Sequence, residues 1–170
     1  MVYCLYKFNH FNNKSIAGNN RGLYNIDYIR ISPLRLFIKN ENKSIKNAAL
    51  RLYFWLFSHG KLWVYYVKHG HEIIHTSYVM QKSYKFPFMK KNDFEIGPCF
   101  TKSEYRGKGI YPSVINRIQS DVLTDKNSIY MIVRSDNISS IKGIEKSGFI
   151  NVGFVNKKGK KYIYKGDQYD

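Results

Sequence analysis

The sequence contains at positions 105–110 the stretch Tyr105-Arg106-Gly107-Lys108-Gly109-Ile110. Residues 94–101, which precede it, have the composition of a strand, and residues 110–123, which follow it, have helical periodicity. A glycine-rich turn from a strand into a helix presents bare backbone NH groups at the positive end of the helix dipole, where a phosphate can bind. Two glycines before a helix often mark only a turn. The segments that follow favour a site for a phosphorylated cofactor here.

The segments after the turn alternate between helix and strand. The apolar residues that recur every fourth position in the first helix are Ile110, Val114, Ile118 and Val122. Pro112 falls in the first turn of this helix, where a missing NH costs nothing. Residues 129–133 form a short apolar run that predicts a buried strand. A second helix begins at Asn137, a favoured N-cap residue, and ends at Gly148, which suits a left-handed C-terminal cap.

Two sequence motifs follow one another in this region. The first is the turn Glu104-Tyr105-Arg106-Gly107-Lys108-Gly109-Ile110, and the second is the helix from Asn137 to Gly148-Phe149. In this order and at this spacing they resemble the signatures of the GNAT superfamily of acyl-CoA N-acyltransferases. The resemblance covers roughly residues 93–150. The rest of the chain is assigned to the same fold only by extension from these two motifs.

The resemblance implies an α+β fold. Its central twisted sheet would be mostly antiparallel, with six to seven strands, splayed between strands 4 and 5 and flanked by about four helices. We expect a single acyl-CoA N-acyltransferase domain over residues 1–170, with residues 1–22 as an N-terminal extension and residues 93–150 as the cofactor-binding core.

The resemblance also implies a cofactor site for acetyl-CoA as the acyl donor. Unpaired backbone groups of the splayed strand, here those of Cys99, Phe100 and Thr101, would bind the pantetheine and polarise the thioester. Asn137 would reach the pantetheine or its thioester end. The residues whose NH groups would hold the pyrophosphate are Arg106, Gly107, Lys108, Gly109, Ile110 and Tyr111.

Three residues are candidates for proton transfer. Glu95, early on the strand before the turn, is the first candidate for the base, because an apolar pocket would raise its pKa toward the operating pH. His75 is the second, since an imidazole titrates near neutrality without help. Many family members carry, four residues before the terminal Gly, a Tyr that protonates the departing thiolate of coenzyme A. This chain has Ile144 at that position. Tyr111 could replace that acid, or the thiolate could take its proton from water. Glu95 and His75 could equally be ordinary strand residues.

The upstream half fits the same fold. Strands are predicted over residues 23–31, 62–67 and 72–80, and residues 2–8 predict an additional strand. Ser44 is the predicted N-cap of a helix that ends at Gly60. The predicted buried face of this helix consists of Ile45, Ala48, Ala49, Leu52, Trp55 and Leu56. The long connection 81–92 could line the acceptor pocket, or its apolar residues Phe86, Phe88 and Met89 could pack into the core.

The formal net charge of the 170 residues is +16, which has three interpretations. It would attract the phosphates of coenzyme A or of an acidic acceptor, it would suit nucleic acid, or it merely solvates the surface. Lysines are scattered along the whole chain, which favours the third. No apolar segment is long enough for a signal or a membrane span, so we expect a cytoplasmic protein. Cys4 and Cys99 lie outside any metal-ligand pattern, so we expect reduced thiols and no metal.

The sequence therefore predicts an N-acetyltransferase that acts directly on a primary amine of a small molecule, with an amino sugar or a nucleotide-linked sugar as the preferred class. The alternative is a basic nucleic-acid-binding module without catalytic activity. No dense basic patch with interleaved aromatic residues marks such a surface, so this alternative ranks second. The sequence leaves monomer and homodimer equally open.

Overall fold

The structure is a computed structural model that describes residues 2–9, 24–38 and 45–165. The described strands are β1 (Val2–Phe8), β2 (Ile26–Arg30), β3 (Leu62–His69), β4 (Glu72–Gln81), β5 (Phe94–Thr101), β6 (Ile129–Arg134), β7 (Ile150–Lys158) and β8 (Lys161–Tyr164). The described helices are α1 (Ile45–Phe57), α2 (Ile110–Val122) and α3 (Ile138–Lys146), with a short 3-10 turn at Ser103–Tyr105. Ser44, the predicted N-cap of α1, lies outside the described residues, as do Met1 and residues 10–22 of the predicted N-terminal extension.

All eight strands form one sheet in the order β2-β3-β4-β5-β6-β1-β7-β8. Every neighbouring pair is antiparallel except β5 and β6, which are parallel. The predicted α+β class and mostly antiparallel sheet are confirmed. The strand count exceeds the predicted six to seven because β1 enters the middle of the sheet and β8 extends its edge. Three helices are present in the described residues, where about four were expected.

The sheet is covered on both faces. On one face, α2 buries the predicted stripe Ile110, Val114 and Ile118 against apolar residues of β1 and β6. On the other face, α1 packs Phe54 onto β2, β3 and β4. Alternate residues of β4 serve the two cores, with Val79 facing α2 and Met80 facing α1.

The predicted buried face of α1 is wrong. Ile45 is 87% exposed and Leu56 57% exposed, whereas Arg51 and Phe54 are buried. The Arg51 guanidinium donates from Nη1 to the carbonyl oxygen of Leu36 over 2.7 Å, and the Phe54 ring lies 5.6 Å from that of Tyr78. Helical periodicity alone could not show that this polar contact fixes the rotation of the helix.

The parallel strands β5 and β6 part soon after they meet. Only two residue pairs join them, Phe94 with Ile129 and Glu95 with Tyr130. Beyond these pairs β5 continues along β4, and β6 continues along β1. A gap therefore opens between residues 96–101 and the rest of β6. This gap is the predicted splay of the sheet, because strands 4 and 5 of the family fold are β5 and β6 here, where the additional strand at residues 2–8 is counted as β1.

Candidate functional site

The glycine turn carries a run of free backbone donors. The NH of Arg106 donates to the carbonyl oxygen of Ser103 over 3.2 Å. The next five NH groups, those of residues 107–111, donate to no other group in the described part of the chain. They lie at the N-terminus of α2, where the helix dipole adds positive potential. Of the NH groups predicted to hold the pyrophosphate, those of residues 107–111 are thus unpaired within the described chain and that of Arg106 is not, and pyrophosphate binding stays a prediction.

Backbone conformation explains both glycines of the turn. Gly107 and Gly109 each have φ +75°, in the left-handed region that side chains rarely adopt. A Cβ atom at either position would meet no heavy atom within 4 Å. A side chain at these positions would therefore disturb the path of the turn without crowding its neighbours in the protein.

Neighbouring side chains hold the turn in place. Arg106 donates from Nε to the carbonyl oxygen of Thr101 over 3.0 Å, and Tyr24 donates from its hydroxyl to the carbonyl oxygen of Lys108 over 2.7 Å. The Lys108 ammonium lies 5.0 Å from the centroid of the Tyr105 ring. The two basic side chains of the turn thus contact the protein, and Arg106 ties the turn to the end of β5.

The Tyr111 side chain lies between β5 and α3, directly after the free amides. Its ring packs so closely against α3 that a Cβ atom on Gly143 would lie 2.7 Å from Tyr111 Cδ1. Its hydroxyl faces Cys99, and burial raises the pKa of Tyr111 well above its ordinary value. Burial likewise raises the pKa of Cys99 to about 11. At neutral pH the Tyr111 hydroxyl and the Cys99 thiol are therefore both protonated.

His75 is buried within a row of hydroxyl groups on the same face of the sheet. Its Nδ1 lies 2.7 Å from Thr101 Oγ1 and its Nε2 lies 2.8 Å from Ser77 Oγ. Burial lowers the pKa of His75 to about 4, so the ring is neutral at pH 7. The expectation that it titrates near neutrality is wrong, because the sequence does not show how deeply the strand is covered.

Glu95 lies on the opposite face of the sheet from His75, at the point where β5 and β6 part. Burial raises the pKa of Glu95 to about 8, although Lys85 and Ser83 favour its ionised form. Its Oε2 atom is buried without a hydrogen-bond partner in the described part of the chain. A carboxyl group in this state can accept a proton near neutral pH. The structure thus separates the two predicted base candidates.

Asn137 has a structural role at the start of α3. Its Oδ1 accepts a hydrogen bond from the NH of Ser140 over 3.3 Å and one from the Ser139 hydroxyl over 3.1 Å. This is the predicted N-cap, and Gly148 follows the helix with φ +79°, as predicted for its C-terminal cap. Contact between Asn137 and the pantetheine stays a prediction.

A cleft of 760 Å³ lies beside the free half of β5. Three predicted residues line it, namely His75, Cys99 and Phe100. Its lining also includes residues without a predicted role in the site, namely Asn47, Leu50 and Arg51 of α1, His69 at the end of β3 and His71 in the turn that follows. One signal was visible, since Arg51 interrupts the most apolar stretch of the sequence.

The long connection before β5 does not line this cleft. Phe86 and Met89 are buried, and the Phe86 ring lies 5.3 Å from that of Tyr162 on β8. Of the two interpretations left open for this segment, packing into the core applies to Phe86 and Met89.

The fold of this chain is similar to those of solved structures, whereas its sequence matches no family model and no curated protein. An acetyltransferase of the GNAT family from Colwellia psychrerythraea has 15% identity and a TM-score of 0.60, with 90% of this chain and 53% of that chain covered. A protein from Novosphingobium aromaticivorans, assigned to the same family as an acetyltransferase, has 14% identity and a TM-score of 0.50, covering 91% and 62%. This chain has the GNAT fold.

A third solved structure, a conserved protein of unknown function from Staphylococcus epidermidis, has 12% identity and a TM-score of 0.52, covering 90% of this chain and 58% of that chain. The chain thus spans 53% to 62% of the lengths of these three proteins. The predicted resemblance to the GNAT superfamily is confirmed for the fold.

Within this GNAT fold, Ile144 stands where many family members have the Tyr that protonates the thiolate, and it is buried in the core beneath α2. Helix α3 therefore offers no proton donor there. Among the described residues, no group of three His, Cys, Asp or Glu side chains could hold a metal ion. No helix in the described ranges is long and apolar enough to cross a membrane.

Proposed function

We propose that this chain transfers an acetyl group from acetyl-CoA directly to a primary amine of a small-molecule acceptor. The proposal depends above all on the five consecutive free NH groups of residues 107–111 at the N-terminus of α2. Such an array binds the oxygens of a phosphate or a diphosphate. The splayed strand beside it leaves backbone groups of residues 96–101 unpaired by β6, where a pantetheine can bind.

Glu95 is the proposed base. An amine attacks a thioester only as the neutral species, so a proton must leave the nitrogen before or during attack. A carboxylate whose pKa is about 8 accepts that proton more readily than an ordinary surface carboxylate. The Oε2 atom has no hydrogen-bond partner in the described part of the chain, and because it is buried and does not line the cleft, the proton would reach it through water.

Tyr111 is the proposed acid. When the tetrahedral intermediate collapses, the carbon–sulfur bond breaks and the electron pair goes to sulfur. Tyr111 then supplies the proton of its hydroxyl, and an S–H bond forms on coenzyme A. Burial raises the pKa of Tyr111, so its hydroxyl is protonated at neutral pH but is a weak acid, and the tyrosinate left by the transfer regains its proton from water.

The proposed acceptor is an amine-bearing metabolite, with an amino sugar or a nucleotide-linked sugar as the preferred class. A cleft of 760 Å³ has the size of a small-molecule site. Arg51 and Lys102 lie along it together with Glu72, and the whole chain carries a charge of +16. This positive potential favours an acceptor that carries phosphate groups.

The test combines binding with turnover. Acetyl-CoA should raise the melting temperature of the protein, and thiol release should depend on an amine from a panel that includes nucleotide-linked amino sugars. Gly109→Val should abolish the thermal shift, because valine does not tolerate φ +75°. Gly159→Val is the matched control, since Gly159 also has positive φ and open space but lies in the β7–β8 hairpin. Unchanged acetyl-CoA protection in Gly109→Val would contradict the proposal.

A further inference from the structure

A second pocket of 440 Å³ lies on the α2 face of the sheet, at the C-terminal end of α2. The free amides lie at the other end of this 13-residue helix, about 20 Å away at 1.5 Å per residue. The pocket is formed by β2, β3, the ends of β4 and α2 and the start of β5. It shares no lining residue with the cleft beside β5. The proposed acetyl transfer does not use it.

Aromatic rings form the floor of this pocket. Tyr28 and Tyr65 stack with centroids 5.2 Å apart and planes at 26°, and the Trp63 and Phe94 centroids are 6.1 Å apart. Tyr65 is fixed, because its hydroxyl donates to Asp121 over 3.0 Å. Tyr28 is 54% exposed and therefore presents ring surface to solvent. Such rings are preorganised platforms for stacking.

One basic residue, Lys126, lines the pocket together with amide side chains, and two arginines contact lining residues from outside it. Arg117 donates from Nε to both carboxylate oxygens of Asp121 over 3.0 Å, which neutralises the acidic group that lines the pocket. The Arg30 guanidinium lies 5.8 Å from the Trp63 centroid, and Lys126 lines the pocket directly. These basic groups therefore attract an anion and disfavour a cationic ligand.

We infer that this pocket binds a nucleotide, with the base stacked on the Tyr28 and Trp63 rings and the phosphate beside Lys126 and Arg30. The side-chain amides of Gln81 and Asn92, which also line the pocket, can hydrogen-bond to the edge of a base. A pocket of 440 Å³ accommodates one such unit. The nucleotide is either free or part of a single-stranded nucleic acid, and the same chemistry recognises both.

Trp63 provides the reporter for the test. The chain contains two Trp residues, so the Trp55→Phe variant isolates the Trp63 fluorescence. This protein is titrated with UMP, with AMP, with uridine as the phosphate-free probe, and with an eight-residue single-stranded oligonucleotide. We expect saturable quenching by the phosphorylated probes and weaker binding of uridine. If the oligonucleotide binds more tightly than UMP and its affinity falls steeply with salt, the ligand is a nucleic-acid strand. Equal affinities identify a free nucleotide.

Tyr28→Ala in the same background should weaken binding by about 5- to 10-fold, because it removes one stacking partner. The matched control is Tyr164→Ala, an exposed tyrosine of β8, the edge strand at the other end of the sheet. Gly109→Val should bind the probes normally, which separates this pocket from the adenine nucleotide site that acetyl-CoA would use. No saturable quenching by any probe, or equal affinity in Tyr28→Ala, would overturn the inference. Loss of binding in Gly109→Val would do the same.

Discussion

At the scale of single residues, the raised pKa of Glu95 makes the stability of the fold depend on pH. Its pKa is raised by burial to about 8, so the folded state binds a proton that the unfolded state releases above its ordinary pKa of 4.5. The free energy of unfolding should therefore fall as pH rises from about 4.5 to about 8, by at most about 1.4 kcal/mol per pH unit. A rate that needs the ionised carboxylate should rise over the upper part of the same range.

Glu95→Gln tests both effects in one variant. It should be more stable than the natural protein at pH 8, with a difference that shrinks toward pH 5, and its acetyl transfer should be strongly reduced. Urea unfolding and thiol release, each measured from pH 5 to pH 9, provide the comparison. Asp136→Asn, which changes an exposed carboxylate paired with Arg134 at the surface, is the control for loss of one negative charge. Equal pH dependence in the natural protein and in Glu95→Gln would remove Glu95 as the proposed base.

At the scale of elements, the approach of α3 to α2 positions Tyr111. Gly143→Ala should displace the Tyr111 ring, because the new Cβ atom would lie 2.7 Å from Cδ1. We expect a loss of stability of about 1–3 kcal/mol from overpacking, partly offset by the better helix propensity of Ala. The rate of thiol release should fall more than the affinity for acetyl-CoA, since the amides of the turn are unchanged.

Lys142→Ala is the control on the same helix, because Lys142 is exposed and its replacement by Ala adds no atom near Tyr111. Urea unfolding and steady-state kinetics of both variants separate the two effects. A Gly143→Ala variant with natural stability and natural rate would show that the ring moves aside freely and that its position is unimportant.

At the scale of the whole molecule, β1 joins the two halves of the sheet. It pairs with β6 on one side and β7 on the other, and the Tyr6 hydroxyl donates to Glu145 Oε1 over 2.9 Å. Phe8 is fully buried, with its ring 5.4 Å from that of Phe149. Phe8→Ala should therefore cost about 3–5 kcal/mol in the free energy of unfolding. Val2→Ala, at the exposed start of the same strand, should cost far less. Urea unfolding gives both values, and a similar small cost for the two variants would refute a central position for β1.

Local signals were sufficient to predict the elements between residues 93 and 150. The apolar period of α2, Pro112 in its first turn, the N-cap Asn137 and the cap glycine Gly148 all act between residues close in sequence. They predicted β5, the glycine turn, α2, β6 and α3 with nearly the observed bounds. The left-handed glycines of the turn also follow from sequence, because few other residues adopt that conformation.

The sequence by itself thus determined the elements around the turn and the resemblance to the GNAT fold. Only the tertiary structure decided that β1 lies between β6 and β7, that α1 buries Arg51 and exposes Ile45, and that His75 stays neutral. Each of these depends on contacts between residues far apart in the chain, such as Arg51 with Leu36 or Tyr6 with Glu145. Periodicity reports which side of an element is apolar, whereas burial, strand order and pKa depend on what the rest of the chain places against it.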